Sequence, residues 1–328
     1  MMLLLYSQRS GRCALTLNAL KGFPLNWYAI ASYEQGSGPR AALVLDQQLY
    51  DVAALGSDAN PLLQGTQRVM EQWETHRGAV EALAAKLAAE RAAGRIQPLA
   101  EGSYKLLPPY RPARIFGAAS NYYEHAREMG TKLAPRSESA PYCFMKADTS
   151  VIGSGDDVVK PAETQKLDWE VELGVVIGRQ CRHVTVEQAY DVIAGYTVFN
   201  DISARDLNRR SDYPFTHDWF RGKSFDTFGP MGPWVVPRQC IAEPQKLRMR
   251  LDVNDQTMQD DTAEGMIFNI AEQIAYLSSL LTLKPGDLIA TGTPTGVGMG
   301  RGVYLQAGDV MMASIEQIGS LRNRVVAA

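Results

Sequence analysis

Residues 168–206 constrain the fold of this chain more than any other stretch. They read DWEVELGVVIGRQCRHVTVEQAYDVIAGYTVFNDISARD, and the first part alternates apolar and other residues as a β-strand does. In such a strand Glu170 and Glu172 point to one face, because side chains two positions apart share a face. A second apolar run, 192–199, is soon followed by Asp201. The pattern predicts two strands that bring three carboxylates together.

Three carboxylates repel one another unless a cation neutralises them. Oxygen ligands of this kind suit Mg²⁺, Mn²⁺ or Ca²⁺ better than Zn²⁺. We therefore predict a divalent-metal site formed by Glu170, Glu172 and Asp201. The alternative is that the glutamates lie on a solvated strand face and the aspartate in a turn, since exposed carboxylates are the ordinary case. The sequence leaves both interpretations open.

Composition argues against several classes of partner. The 328 residues are 45% hydrophobic and 21% charged, which is typical of a soluble globular protein. A net charge of −3 provides no basic surface for nucleic acid or for an anionic membrane. Four widely spaced cysteines contain no C-x-x-C pair, so neither a zinc knuckle nor a disulfide framework is indicated. We expect a cytoplasmic protein without nucleic-acid or membrane partners.

The first third of the chain predicts a small α+β domain. Residues 1–25 start with an apolar run too short to span a bilayer, and we expect a poorly specified extension there. Residues 26–105 predict two strands joined by a Gly-Ser-Gly-Pro turn, then a helix over 66–93 with Gly94 at its C-terminal cap. The proline-rich segment 106–112 is the best candidate for a domain boundary.

A polar stretch beyond this boundary supplies a candidate general base. His125 and Glu128 are three residues apart, so in a helical turn the carboxylate can orient the imidazole or share its proton. The alternative is a structural or surface histidine, because a catalytic one also needs a cleft. We expect the segment around His125, as far as the loop after Gly130, to be mobile or exposed when no ligand is bound.

The chain contains a set of motifs in a characteristic order. They are N-Y-Y-E-H-A-R-E, D-W-E-V-E-L-G, N-D-I-S-A-R-D, G-K-S-F-D-T-F and the glycine-rich loop that follows Thr293. Together they resemble the fumarylacetoacetate hydrolase family over residues 106–328. The resemblance implies a mixed, β-rich α/β fold, a mixed β-sandwich roll with flanking helices, and a homodimer.

The resemblance also implies which residues hold a metal. Glu170, Glu172 and Asp201 match the family's divalent-metal ligands, with Mg²⁺ or Mn²⁺ as the usual ion and Ca²⁺ also compatible. The largest family members have a fourth carboxylate where this chain has Ala118. Water or substrate would fill that coordination position, which Mg²⁺ tolerates well.

Further roles follow from the same resemblance. His125 and Glu128 match a pair that activates water, and Lys223 matches a lysine that faces the substrate. Arg205 matches an arginine at the substrate or just behind it, and Thr293 a hydroxyl near the substrate carboxylate. The groups that select the distal part of the substrate remain open, with surface or packing roles as the alternative; the candidates are Tyr142, His217, Arg209 and Arg210.

The implied reaction is hydrolysis of a C–C bond in a 2,4-dioxo acid, an acylpyruvate or a fumarylacetoacetate-like compound, in the catabolism of aromatic or sugar-acid compounds. His125 would deliver water to the C4 carbonyl, and Lys223 would stabilise the oxyanion. A bound metal would withdraw the charge left on the 2-oxo acid fragment. An isomerase, tautomerase or decarboxylase acting on a 2-oxo or 2-hydroxymuconate-type diacid would use nearly the same site. The His125/Glu128 pair favours hydrolysis.

Two alternatives lie outside this chemistry. Glycines within 296–302 suggest a nucleotide-binding loop, but such a loop should open a helix, and this one leads into the strand-like sequence VYLQAGDV. A non-catalytic scaffold stabilised by metal would keep the carboxylates and dispense with His125, Glu128 and Lys223. Their joint presence counts against it.

Overall fold

The structure is a computed structural model that describes residues 27–36, 38–56 and 59–328. The extension predicted at 1–25 lies outside these residues. The α-helices of the described part are α1 Thr66–Glu71, α2 Trp73–Ala92, α3 Tyr123–Glu128, α4 Trp219–Lys223, α5 Ile270–Leu280 and α6 Gly298–Arg301.

The strands of the described part are short. They are β1 Ala29–Glu34, β2 Pro39–Leu45, β3 Gln48–Asp51, β4 Lys105–Leu107, β5 Ile115–Ala119, β6 Tyr142–Lys146, β7 Val151–Ile152, β8 Asp157–Lys160, β9 Leu167–Asp168, β10 Val171–Ile177, β11 Ile193–Asn200, β12 Ser203–Ala204, β13 Gly229–Pro237, β14 Arg248–Val253, β15 Gln256–Thr262, β16 Leu288–Ala290, β17 Val310–Ile315 and β18 Gly319–Ala327.

The antiparallel pair β10 and β11 is the predicted carboxylate-bearing pair. Val171 lies opposite Asn200, and Gly174 lies opposite Thr197. Every residue of both strands is buried, so both faces of the pair are covered by other parts of the protein. The alternative of a solvated strand face is therefore wrong, because the strand is enclosed on both sides.

Two packed sheets form the body of the molecule. In the described residues the larger runs β3-β2-β1-β13-β11-β10-β16-β5-β6, with β4 on β1 and β7 on β13. The second runs β15-β14-β17-β18-β8, and its strands contact β10, β11 and β13 of the first. Antiparallel pairs predominate, but β16 with β5 and β18 with β8 are parallel. The fold is the predicted mixed, strand-rich one with few helices.

The N-terminal strands extend the larger sheet. β1 and β2 pair antiparallel across the predicted turn, and β1 also pairs with β13 through Ile30 and Val235. The helix predicted over 66–93 is interrupted at Gln72, which leaves the helical region with φ −128°. Gly94 follows the second helix in the left-handed region at φ +69°, as predicted for its cap. A division of the chain into domains at residue 106 stays a prediction.

The glycine-rich loop differs from the prediction in two ways. It does open a helix, the one-turn α6, and residues 303–309 are irregular, so that the next strand begins only at Val310. The first amides of α6, of Gly298 and Met299, donate to the buried carboxylate of Asp168 at 2.6 and 2.9 Å. The side chain of Asp168 therefore occupies the two amide donors that would bind a phosphate in a nucleotide-binding loop.

Helix α5 flanks the body and shows how local sequence sets a boundary. Asn269 accepts the N–H of Glu272, whose side chain accepts the N–H of Asn269, which forms a capping box. Ile270, Ile274 and Leu277 then lie on one face and are buried against the core. Within the described ranges, no helix has the length and hydropathy needed to cross a membrane.

Candidate active site

Glu170, Glu172 and Asp201 meet at one end of the β10/β11 pair. Glu170 directly precedes β10, Glu172 is its second residue, and Asp201 directly follows β11. One oxygen from each carboxylate lies within 4.8 Å of the others. Their exposed fractions are 5%, 2% and 1%, so the three are almost entirely withdrawn from water. The structure therefore brings together the three residues predicted as metal ligands.

Two buried lysines neutralise part of this charge. Lys223, the last residue of α4, places Nζ 2.7 Å from Glu170 Oε2 and 2.6 Å from Asp201 Oδ2. Lys146, the last residue of β6, donates from Nζ to Asp201 Oδ1 at 2.7 Å. Burial lowers the pKa of Lys146, although Asp201 opposes that effect. Each carboxylate oxygen of Asp201 therefore contacts a lysine.

An arginine and a further aspartate support the glutamates. Arg205 Nη2 lies 2.6 Å from Glu170 Oε1, and Arg205 Nε donates to Asp168 Oδ2 at 2.8 Å. Burial alone would raise the pKa of Glu170, but Arg205 and Lys223 outweigh it and hold that pKa below its usual range. Glu170 is thus a carboxylate kept ionised by its neighbours.

The charge environment of Glu172 differs from that of Glu170 and Asp201. Its Oε2 accepts the N–H of Gly292 at 2.8 Å, but no cation of the described chain forms an ion pair with it. Burial, and then the nearby carboxylates of Asp201 and Glu170, raise its pKa well above the usual value. An all-oxygen donor set that includes a buried carboxylate without a cationic partner fits a hard divalent ion.

The site opens into a cavity of about 230 Å³, which we call the catalytic cavity. The functional side chains that line it are His125, Glu170, Glu172, Arg205, Asn208, Arg209, His217, Lys223 and Thr293. Carboxylates, a histidine and several cations therefore face one space. This combination can bind an anionic carbonyl compound and move a proton beside it.

His125 lies in α3 and is buried, with Nδ1 3.4 Å from Glu128 Oε2. The N–H of Gly296 donates to both oxygens of Glu128, at 3.0 and 3.1 Å. Burial would raise the pKa of Glu128, but the hydrogen bonds from His125 and Gly296 lower it overall. With Nδ1 directed to the carboxylate, Nε2 is the ring nitrogen left for the cavity.

Within the segment around His125, the helix and the following loop differ in exposure. His125 is 5% exposed, and its partner Glu128 accepts the N–H of Gly296. Residues 130–140 are exposed throughout, as expected for the following loop. The mobility expected of this segment stays a prediction.

The remaining predicted substrate residues lie in different surroundings. Thr293 donates its hydroxyl to Val171 O at 2.9 Å and accepts from Gln259 at 2.8 Å, so its proton is used within the protein. His217 lines the catalytic cavity, whereas Tyr142 is 60% exposed and lines only an adjoining one. Of these two residues, only His217 shares a cavity with Glu170 and Glu172.

Sequence reasoning missed two buried charged residues of this site, Lys146 and Asp168. Lys146 ends an apolar strand, and Asp168 is the first residue of the D-x-E-x-E motif. A charged residue beside an otherwise apolar strand was the available signal, since such residues are buried only when paired. Their partners, Asp201 and Arg205, lie 55 and 37 residues away, and no local pattern reveals such pairs.

Comparison with known proteins agrees with this fold. The family "Fumarylacetoacetate (FAA) hydrolase C-terminal" matches residues 114–326. A 2,4-didehydro-3-deoxy-L-rhamnonate hydrolase of Sphingomonas sp. (strain SKA58) is 42% identical over 250 residues, which cover 75% of this chain and 84% of that protein.

Solved structures of related enzymes have the same fold. Maleylpyruvate hydrolase from Sphingobium sp. SYK-6, in complex with manganese(II) and pyruvate, superposes with a TM-score of 0.71 at 30% identity, covering 92% of this chain and 99% of that chain. The 5-carboxymethyl-2-hydroxymuconate delta-isomerase from Mycobacterium smegmatis gives 0.68 at 27% identity, with 92% and 100% covered. The chain therefore belongs to the fumarylacetoacetate hydrolase family, which includes hydrolases and isomerases.

Proposed function

We propose that this protein hydrolyses the C3–C4 bond of a 2,4-dioxo acid. The observation that carries the proposal is the His125–Glu128 pair beside a cavity that Glu170 and Glu172 also line. C–C hydrolysis needs an activated water, and a histidine held by a carboxylate is suited to provide one. Decarboxylation needs no such water, so the pair favours hydrolysis over that alternative.

Glu170, Glu172 and Asp201 would hold Mg²⁺ or Mn²⁺, with Ca²⁺ compatible. A bound ion would supply Lewis acidity toward the oxygens of a 2-oxo acid. The manganese and pyruvate in the related maleylpyruvate hydrolase support this part of the proposal. Because residue 118 is an alanine, the proposed metal site has three protein carboxylates.

His125 would act as the general base through Nε2. Water loses a proton to this nitrogen as its oxygen attacks C4, and Glu128 stabilises the imidazolium through Nδ1. The lowered pKa of Glu128 keeps this carboxylate ionised and able to accept that hydrogen bond. The proton then passes to the carbon fragment when the C3–C4 bond breaks, which gives a carboxylic acid and a 2-oxo acid.

Lys223 would stabilise the oxyanion that forms at C4. An ammonium has three N–H donors, and Glu170 and Asp201 accept two from Lys223. The third remains for the substrate, because Lys223 also lines the cavity. Arg205 still has Nη1 for the substrate carboxylate, since Nε and Nη2 contact Asp168 and Glu170.

Several further features of the proposal rest on the family resemblance. Thr293 would contact the substrate near its carboxylate, and His217 and Tyr142 would contact the distal group. We also propose a homodimer in the cytoplasm and a role in the catabolism of aromatic or sugar-acid compounds. The small-molecule substrate would be the partner on which the enzyme acts.

The proposal is tested by turnover with three substrates, each with Mg²⁺ and with EDTA. They are an acylpyruvate, oxaloacetate and a 2-hydroxymuconate-type diacid. We expect metal-dependent cleavage of the acylpyruvate to be the fastest reaction. Faster isomerisation of the diacid, or faster decarboxylation of oxaloacetate, would assign the enzyme to one of those activities instead.

A further inference from the structure

We infer that the distal group of the substrate, the part beyond the cleaved bond, is uncharged and apolar and binds in a second cavity beside the catalytic one. This inference rests on the proposed function and adds the substrate class. The second cavity has a volume of about 300 Å³, and we call it the side compartment. Its apolar walls are Leu133, Tyr142, Trp219, Ile267 and Phe268.

The side compartment adjoins the catalytic cavity. The residues that line both are Ala119, Ser120, Thr131, His217 and Trp219. A substrate whose 2-oxo acid end lies at the carboxylates, with C4 near His125, would therefore extend its acyl group past Trp219 into the compartment.

The walls of the compartment suit an apolar group. Tyr142 is 60% exposed and Leu133 43%, and the rings of Tyr142 and Trp219 lie 6.2 Å apart between centroids. Large apolar side chains that cluster at an open cavity commonly mark a ligand surface. An alkyl or aryl group placed there would leave water and cover these side chains.

The charge of the compartment argues against a second carboxylate. Arg136 is the one lysine or arginine among the described residues that line it. Its Nη2 forms an ion pair with Glu272, its Nε donates to Ile267 O at 2.9 Å, and its guanidinium lies 5.6 Å from the ring centre of Phe268. A substrate carboxylate in contact with these apolar walls would give up part of its hydration and find the one lining arginine already paired with Glu272.

Arg209 does not change this conclusion. It lines the catalytic cavity but not the side compartment, so it offers no charge to a group that lies beyond Trp219. The substrate class that fits is an acylpyruvate with an alkyl or aryl acyl group. The fit is poorer for a dioxo diacid, whose second carboxylate would enter the compartment.

The first test is a substrate series assayed with Mg²⁺. It comprises acetylpyruvate, butanoylpyruvate, hexanoylpyruvate and succinylpyruvate, in which a carboxylate replaces the terminal methyl of the butanoyl compound. We expect kcat/KM to rise by up to about fourfold per added methylene, the factor for ~0.8 kcal/mol. Succinylpyruvate should be at least about tenfold poorer than butanoylpyruvate, as burial of an unpaired charge predicts.

The second test uses the variant Glu272→Gln. Glutamine keeps the capping box of α5 but no longer neutralises Arg136. We expect the ratio of kcat/KM for succinylpyruvate to that for butanoylpyruvate to rise about tenfold. The matched control is Glu90→Gln on α2. It removes an exposed ion pair to Arg95 and should leave the ratio unchanged.

A third variant adds a cation directly. Leu133→Arg should raise the same ratio, whereas Leu63→Arg, at a similarly exposed leucine outside the compartment, should not. If succinylpyruvate is as good a substrate as butanoylpyruvate, and neither variant changes the ratio, the inferred substrate class is wrong while the proposed hydrolysis stands. Lack of cleavage of every compound in the series would contradict the proposed function itself.

Discussion

Individual residues of the site are buried charges that balance one another only in part. Asp168, Glu170 and Asp201 each have a lysine or arginine within ion-pair distance, with Lys223 shared between two of them, whereas Glu172 has none in the described structure. A buried carboxylate without a cation is costly, and its raised pKa reflects this. Glu172 is therefore the residue at which an added metal ion would relieve the largest uncompensated charge.

We predict that Glu172→Gln weakens metal binding without destabilising the metal-free protein. The Mg²⁺ concentration for half-maximal acylpyruvate cleavage should rise at least about tenfold, because a charged ligand is lost. In EDTA the thermal unfolding midpoint should be no lower than that of the parent protein, because an unpaired buried carboxylate is removed. An unchanged metal requirement, with Glu187→Gln as the surface control, would contradict the assignment of Glu172.

Among the structural elements, one carboxylate ties α3 to the loop before α6, and another ties α6 to β9. Glu128 at the end of α3 accepts the amide of Gly296, just before α6. Asp168, in β9, accepts the first two amides of α6 and also holds Arg205. The helix that carries the proposed base is therefore joined by polar contacts to the segment that follows Thr293, and that segment is joined through Asp168 to Arg205, which also contacts Glu170.

Asp168→Asn tests this connection. The amide cannot replace a carboxylate that balances buried Arg205 and accepts two helix amides, so the free energy of unfolding should fall by about 3 kcal/mol. Denaturant unfolding in EDTA measures the change without any contribution from metal. The exposed pair of Asp260 with Arg248 provides the control, and Asp260→Asn should shift the midpoint far less. Equal shifts for the two variants would contradict the structural role of Asp168.

For the molecule as a whole, the sequence predicted what depends on short spacing. Glu170 and Glu172 share a strand face, and His125 and Glu128 share a helical turn, because the periods of strand and helix are local properties. The β-rich class and the first hairpin follow from similar patterns.

Contacts between distant segments could not be predicted in this way. Glu128 meets Gly296 across 168 residues, and Lys146 meets Asp201 across 55. The pairing of β1 with β13 likewise depends on how the sheet is assembled. The side compartment combines residues of β6, α4 and the loops before α5 and β6, so its neutral character appears only once those segments are folded together.

The central claim is that one site combines a divalent ion with a water-activating histidine, and His125→Ala tests it most directly. With saturating Mg²⁺, we expect cleavage of an acylpyruvate to fall by about 10²–10⁴-fold, the usual contribution of general acid–base catalysis. Decarboxylation of oxaloacetate by the same variant should change much less, because that reaction needs no activated water. Intact acylpyruvate cleavage together with lost oxaloacetate decarboxylation would contradict the account.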